Sequence, residues 1–215
     1  SGSMNNVAMQ LSQRQIAEEV EALQRRGVQA VTDFFERDRE RLRLFVMHRT
    51  DERLLGRVDW GDILQDTFIV VQRRYPEFVA NPSVCFYIWM RSLAGQVLID
   101  LQRRHLNAKK RAVGREISLQ ERLPFHSTST SLASLLAASG QSPSNAAMQS
   151  EQLEAVRESI ELMSDIDREV LVLRHMEQMT NGEVAAALEI DKSTATKRYI
   201  RALRRMKQHI ESRQV

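Results

Sequence analysis

The chain has few of the residues that interrupt helices or cross-link secreted proteins. Its 215 residues include eight glycines, four prolines and a single cysteine, Cys85. One cysteine excludes an internal disulfide, so we expect a reducing compartment, the cytoplasm. We see neither a secretory leader nor an apolar stretch long enough to cross a bilayer, and therefore expect no membrane insertion.

Charge of one sign is also not in large excess. The chain carries 31 Lys and Arg against 28 Asp and Glu, a net charge of +3, although its pI is near 9.3. A small net charge combined with dense local basic runs indicates directed contact with a polyanion rather than a generally cationic tail. The 42% hydrophobic content is sufficient for one large or two small domain cores.

The scarcity of glycine and proline, together with apolar residues at helical spacing, predicts an all-α fold. We predict two small helical domains joined by a flexible linker: a four-helix domain at 12–113 and a helix-turn-helix domain at 148–215. Residues 1–11 resemble a cloning remnant followed by a disordered N-terminus. The helices predicted in the first domain span residues 12–26, 28–48, 60–74 and 83–110.

Three helices of the first domain carry apolar stripes at the spacing of a bundle core. These side chains are predicted to face one another in the interior of the domain rather than to bind a cofactor. They are Leu42, Phe45 and Val46, then Leu64, Phe68 and Val71, then Met90, Leu93, Val97 and Leu101.

Residues 114–147 are predicted to be the linker. Most of this stretch mixes serine and threonine with Pro124, Gly140 and Pro143, a composition typical of segments without a packed core. Two interpretations stay open: a plain tether, or a tether with a short partner-binding helix through Leu132, Leu135 and Leu136.

A short capped helix is predicted to begin at residue 181. Thr180 and Glu183 have the Thr-x-x-Glu spacing of a capping box, in which each side chain bonds the other residue's backbone amide. Val184, Ala185 and Leu188 then line one face of this helix.

A longer helix is predicted after a turn of three residues, 189–191. Either Asp191 or Ser193 can cap it, and its apolar face is predicted to contain Tyr199 or Ile200, Leu203 and Ile210. Two helices joined by so short a turn cross steeply, and this leaves the first turns of the second helix free to enter a DNA major groove.

The second of these helices carries seven basic residues and no acidic residue between positions 192 and 207. A surface helix facing water is one explanation. DNA binding is favoured because the cap, the turn and the one-sided charge coincide, with bases read near the helix start and phosphates bound along the rest. The basic residues are Lys192, Lys197, Arg198, Arg201, Arg204, Arg205 and Lys207.

The polar surface of the first domain divides by sign. Acids gather in and before its third helix, and a basic run without acids ends its fourth helix. An acidic patch repels phosphate, so it favours a basic protein partner, although helix capping by Asp59 and Asp62 accounts for part of it. The acids are Asp51, Glu52, Asp59, Asp62 and Asp66, and the bases are Arg103, Arg104, Lys109, Lys110, Arg111 and Arg115.

Aromatic residues lie near this basic helix, in and after the segment 75–82. Stacking on unpaired bases is one use for them, at about 1–3 kcal/mol per base. Filling the bundle core is the other use, and we favour it for Phe86, whereas Trp89 fits either interpretation.

No catalytic or metal-binding motif is recognisable in the sequence. There is no Gly-rich phosphate loop, no His-Glu-x-x-His and no cysteine pair, and five histidines are scattered without ligand spacing. We therefore expect no enzymatic activity, no cofactor and no metal. Asp165 and Asp167 follow Ser164 in a Ser-x-x-Asp pattern that helix capping explains most simply.

Three strings taken together resemble the two conserved domains of bacterial extracytoplasmic-function (ECF) sigma factors, from about residue 21 onward. They are VDWGDILQDTFIVVQRRYPEF, FYIWMRSLAGQVLIDLQRRHLNAKKR and SDIDREVLVLRHMEQMTNGEVAAALEIDKSTATKRYIRALRRMK. The resemblance implies that 12–113 is sigma domain 2 and 148–215 sigma domain 4. It implies core RNA polymerase and promoter DNA as partners, and leaves room for an anti-sigma factor or another regulator.

The resemblance also implies roles for individual residues. Contacts to the clamp of the largest polymerase subunit are implied for Asp59, Asp62, Gln65 and Asp66, and domain 4 is expected at the flap of the second-largest subunit. Minus-10 element contacts are implied for Tyr75, Phe78, Asn81, Tyr87, Trp89, Gln96, Arg103 and Arg104. Minus-35 element contacts are implied for Lys192, Ser193, Thr194, Thr196, Lys197, Arg198 and Arg201.

A free-standing helix-turn-helix regulator is the alternative function. Such regulators usually dimerise so that two recognition helices meet half-sites one DNA turn apart. We see no spare apolar stripe for a dimer interface, and the acidic third helix has no use in a repressor.

Overall fold

The computed structural model describes residues 2–50, 59–110, 132 and 146–212, with side chains except at 2–12, 105–110 and 146–152. Within these residues the chain forms eight α-helices and no strand, which confirms the predicted all-α fold. It divides into two compact units, Ser1–His126 and Ser127–Val215. Except for Leu132, which is helical and fully buried, the predicted linker up to residue 145 lies outside the described residues.

The first unit contains four helices, α1 (Gly2–Arg26), α2 (Val28–Arg49), α3 (Trp60–Ala80) and α4 (Phe86–Lys110). Most residues of the predicted stripes form the core, and Leu42, Val46, Val71 and Met90 are fully buried. Phe68, Val97 and Leu101 of the same stripes are only partly buried. Phe35 and Phe68 meet edge to face, with ring centroids 4.9 Å apart. The acids predicted at residues 51 and 52, and the basic side chains predicted at 109–115, lie outside the described residues.

Helix α1 begins at Gly2, ten residues before its predicted start, so the described backbone is helical in the stretch 2–11 for which disorder is predicted. The stretch contains no proline, and its only glycine is at the helix end, so nothing in it interrupts a helix. Gly27 then separates α1 from α2 at φ 55°, a left-handed conformation that glycine adopts without strain.

Helix α1 is fastened to the start of α4. Glu19 is 4% exposed, and its carboxylate accepts a hydrogen bond of 2.7 Å from the Phe86 backbone N–H. A helix start leaves backbone N–H groups without partners, and here a carboxylate from another helix satisfies one of them. Leu23, one turn further along α1, is 1% exposed. The helix before Val28 is therefore part of the bundle.

Helix α3 continues six residues beyond its predicted end and includes Pro76. An interior proline costs a helix about 3 kcal/mol, which is why the sequence predicts a loop here. Phe78 in the last turn is 2% exposed and packs edge to face on Phe86 at 5.0 Å, and this burial offsets the cost. The predicted connection at 75–82 is accordingly replaced by the shorter segment 81–85.

The second unit contains α5 (Ala146–Glu161), α6 (Asp165–His175), α7 (Asn181–Ala187) and α8 (Lys192–Ser212). Helix α8 packs against each of the other three. The core of the unit includes Ile160, Leu171, Leu173, Val184, Ala195 and Ala202, all fully buried.

The predicted apolar face of α8 is offset from the most buried face, and of the alternatives Tyr199 and Ile200 only Tyr199 is partly buried. The buried residues of α8 are Ala195, Ala202 and Met206, whereas Ile200 is 48% exposed. Leu203 and Ile210 are only partly buried. The prediction followed the largest apolar side chains, but alanines let α8 approach its neighbours closely, so the small residues face inward.

Candidate nucleic-acid interface

The first helix of the predicted helix-turn-helix begins at the predicted capping box. The Glu183 N–H donates to Thr180 Oγ1 at 3.2 Å, and the Thr180 N–H donates to Glu183 Oε2 at 2.8 Å. Two otherwise unpaired amides are thus satisfied within the box. Asn181 Nδ2 also donates to the Lys192 carbonyl at 3.0 Å, which joins the starts of α7 and α8.

The turn between α7 and α8 contains no glycine, and Glu189 takes the left-handed conformation instead, with φ 55°. This conformation costs a residue with a Cβ about 1 kcal/mol. The Ile190 N–H donates to the Ala185 carbonyl at 3.0 Å, so the turn is closed by a backbone bond. The geometry is that of a helix ending in a single left-handed residue.

Asp191 caps α8. Its Oδ1 accepts a bond of 2.9 Å from the Thr194 backbone N–H, and its two oxygens accept bonds of 2.5 Å from the hydroxyls of Ser193 and Thr194. The bonds from Ser193 and then from Thr194 hold the pKa of Asp191 well below its usual value. Of the two predicted caps, Asp191 is the acceptor and Ser193 a donor to it.

We expect Asp191→Ala to lower the thermal midpoint of the second unit, because three donors at the start of α8 lose their acceptor. A carboxylate whose pKa is depressed in the folded state stabilises the fold at any pH above its unfolded pKa of about 3.9. That stabilisation is lost as the pH falls below this value. Asp191→Asn should have a thermal midpoint close to that of wild type at pH 7, but its midpoint should lack the part of the fall at low pH that Asp191 causes. Circular dichroism melts from pH 7 to pH 3 measure both, and equal midpoints in all three proteins would contradict the assignment.

The outward face of α8 is basic. Lys197, Arg201 and Arg204, at steps of four and three residues, are exposed and share one face with the exposed Ile200. Of the other residues predicted to contact the minus-35 element, Thr196 is exposed, and Lys192, Ser193, Thr194 and Arg198 are half-buried.

One residue that the sequence did not single out for this site is Asp167, whose carboxylate lies among three arginines of α8. Its side chain is 2% exposed and accepts a hydrogen bond of 3.1 Å from Arg198 Nη1. The Arg201 Nε lies 3.6 Å from it and the Arg205 Nη1 lies 3.8 Å from it. Helix capping explains only the Ser164 side chain, which accepts a bond of 3.4 Å from the Asp167 N–H. The predicted cap is thus present, and the Asp167 carboxylate has the additional role of pairing with arginines of α8.

The end of α6 is tied to α8 by an aromatic contact. The rings of His175 and Tyr199 stack with centroids 5.8 Å apart, and His175 Nε2 lies 3.2 Å from the Tyr199 hydroxyl. Burial, and to a lesser degree the neighbouring Arg174 guanidinium, lower the pKa of His175 below its usual value. A neutral His175 imidazole is thus favoured where the end of α6 contacts α8.

The four predicted polymerase-binding residues lie at the start of α3, and all are exposed. Asp59 caps the helix by accepting a bond of 2.8 Å from the Gly61 N–H. Asp62 and Asp66 are one turn apart on the same face, and no cap bond involves Asp66 among the described residues. Beside them lies a shallow cleft of about 230 Å³ lined by residues that include Phe35, Leu64, Gln65 and Phe68.

The residues predicted to contact the minus-10 element differ in exposure. Phe78 and Tyr87 are 2% and 1% exposed, and rings in the bundle core cannot stack on bases. Phe86 is fully buried, as favoured from the sequence, and Trp89 is half-buried against it with centroids 5.4 Å apart. Asn81, Gln96, Arg103 and Arg104 are exposed, and Tyr75 is half-buried.

In the described part of the chain, no helix is both long enough and apolar enough to cross a membrane. The same residues contain no group of three or more His, Cys, Asp or Glu side chains placed to hold a metal ion.

Helices α7 and α8 have the arrangement of a helix-turn-helix, and comparison with known proteins supplies a family for this segment. Residues 153–206 match the family model of Sigma-70, region 4. The match confirms what the sequence predicts for this segment, a sigma-factor domain that binds DNA through a helix-turn-helix and acts in transcription.

One solved structure similar to the chain is described as CnrH in complex with the cytosolic domain of CnrY. The alignment covers 94% of this chain and 97% of that one, with 18% sequence identity and a TM-score of 0.45. No curated protein sequence matches the chain.

Proposed function

We propose that the chain is an ECF-type sigma factor that binds core RNA polymerase in the cytoplasm and directs promoter recognition, promoter melting and transcription initiation. The observation that carries the proposal is the Sigma-70 region 4 match at 153–206, which includes the capped helix-turn-helix. The protein has no catalytic role of its own in this account and needs no cofactor, because the polymerase carries the chemistry.

In this proposal α8 reads the minus-35 element in the major groove. Residues near its start face the bases, and its later basic residues neutralise phosphates. The exposed positions of Lys197 and Arg201 support this division. The proposed contacts are Lys192, Ser193, Thr194, Thr196, Lys197, Arg198 and Arg201.

The first unit is proposed to bind the polymerase clamp through Asp62, Gln65 and Asp66, with Asp59 mainly capping α3. Exposed carboxylates one turn apart attract a basic partner, and the adjacent cleft offers apolar side chains within reach of the same surface.

The minus-10 element is proposed to meet the short segment 81–85 and the exposed side of α4. The exposed residues there are Asn81, Gln96, Arg103 and Arg104. Trp89 is half-buried, and the accessible part of its ring is proposed to contact the DNA. We leave Phe78 and Tyr87 out of this surface because their burial commits both rings to the core.

The two DNA contacts are proposed to be weak individually and strong together. Each depends on a few phosphate contacts and therefore falls steeply with salt. When polymerase holds both units at a fixed separation, the second contact becomes intramolecular and the affinities combine.

The proposal is tested by co-purification with core RNA polymerase followed by run-off transcription on a library of genomic fragments. We expect the chain to bind core enzyme and to produce discrete transcripts that core enzyme alone does not produce. A chain that neither binds core enzyme nor changes its transcripts would contradict the proposal.

A further inference from the structure

We propose that Asp167, which lies outside the helix-turn-helix, is the residue that positions the arginines of α8 for DNA. The inference rests on the proposed function of α8 and deepens it. Asp167 lies in the first turn of α6, 31 residues before Arg198, yet its carboxylate contacts three arginines of α8.

The three arginines form one stripe of the helix. Arg198, Arg201 and Arg205 are separated by three and four residues, so they are neighbours on its surface. Three like charges on one stripe repel one another and would spread their side chains over many rotamers. A single fixed carboxylate among them gathers the guanidinium groups and reduces the entropy that is lost when they meet a ligand.

The distances divide the arginines into two kinds. Arg198 donates a hydrogen bond of 3.1 Å and its side chain is 26% exposed, so it is the most tightly held of the three and has the least surface left for a DNA contact. The nitrogens of Arg201 and Arg205 are 3.6 and 3.8 Å away, beyond hydrogen-bond distance, and these side chains are 47% and 55% exposed. The carboxylate attracts and orients these two side chains without accepting a hydrogen bond from them, so their N–H groups remain available to DNA.

Besides ordering the arginine side chains, Asp167 is expected to help the chain discriminate between specific and non-specific DNA, because of its charge. One carboxylate offsets one of three positive charges, so the stripe keeps a net charge of +2 from the three arginines and one aspartate. A buried negative charge close to the binding surface weakens contact with any phosphate backbone, while ordered arginines favour one docking register. Both effects raise the ratio of specific to non-specific affinity.

The test compares the full chain with its Asp167→Asn variant by fluorescence anisotropy on two duplexes. One duplex is enriched from a random pool by the wild-type chain, and the other is a scrambled sequence of the same composition. At about 50 mM salt, where phosphate contacts are strong, we expect Asp167→Asn to bind the scrambled duplex more tightly than wild type does. Discrimination between the duplexes should fall about tenfold, as for loss of one base-reading contact. The salt slope on the scrambled duplex should steepen by about 0.9 for one added phosphate contact.

Asp165→Asn is the matched control, since it removes the same charge from an exposed position in the same helical turn. It should leave discrimination unchanged. Equal discrimination by wild type and Asp167→Asn would overturn the proposal, and so would a parallel loss of both affinities with a lowered melting midpoint, which indicates a purely structural role.

If Asp167→Asn does not fold, Asp167→Glu is measured instead, because it keeps the charge and displaces the carboxylate by one methylene. A several-fold loss of discrimination at an unchanged salt slope supports positioning, and unchanged discrimination overturns it. A wild-type chain that binds neither duplex at about 50 mM salt, where the weak contact of α8 alone should be measurable, contradicts the proposed function of α8, and the role of Asp167 with it. A wild-type chain that discriminates locates any failure in the positioning proposal alone.

Discussion

Replacing both Asp62 and Asp66 with lysine is expected to abolish co-purification of the chain with core RNA polymerase. The two carboxylates are exposed on one face of α3, and the double change turns a charge of −2 into +2 at the proposed clamp contact. Placing like charges opposite each other in an interface costs several kcal/mol, on the order of a thousandfold in Kd. The measurement is a pull-down with purified core enzyme at several salt concentrations.

The control for this experiment is a pair of lysines elsewhere on the same unit. Glu18 and Glu21 are exposed on α1, so Glu18→Lys with Glu21→Lys makes the same change in net charge away from the proposed contact. This control should bind core enzyme as wild type does, and circular dichroism should show equal helix content in all three proteins. If the variant with lysine at both α3 positions bound core enzyme as tightly as wild type does, the proposed contact between α3 and the polymerase clamp would be wrong.

Replacing Arg201 with alanine is expected to reduce promoter-dependent transcription without weakening polymerase binding. The side chain is 47% exposed on α8, and Asp167 lies close enough to orient it. Loss of an arginine that reads a base typically costs about 1–3 kcal/mol, a factor of roughly 5 to 150. Run-off transcription from a promoter found in the fragment library measures the loss.

Lys207→Ala is the matched control for this loss. Lys207 is exposed on the same helix, lies more than a turn later and pairs with Glu211 at 3.7 Å. We expect it to reduce transcription only slightly and mainly through salt-dependent phosphate binding. If Arg201→Ala weakened polymerase association and left transcription per bound complex intact, the division of roles between the two units would be wrong.

Local patterns allowed much of the fold to be predicted. The capping box of Thr180 and Glu183 involves residues three apart, and such short-range chemistry is visible in a single sequence. The start of α3 after Asp59 and the separation of α1 from α2 at Gly27 are equally local.

Features set by packing between distant residues were not predictable in the same way. Helix α3 passes through Pro76 because Phe78 is buried against α4, and α8 turns Ala195 and Ala202 inward because neighbouring helices approach closely. Asp167 is the clearest case in the candidate site. Its sequence neighbours indicate a helix cap, and only the folded unit brings it to arginines more than thirty residues away.

The two units are proposed to recognise DNA together, and only when both are bound to polymerase. The direct measurement is an electrophoretic mobility shift with one promoter fragment at about 150 mM salt, comparing the chain alone, core enzyme alone and the two combined. We predict a stable, sequence-specific complex only in the combined sample, with protection of both promoter elements. Tight specific binding by the chain alone, as a dimer on two half-sites, would contradict the account and identify a free-standing regulator.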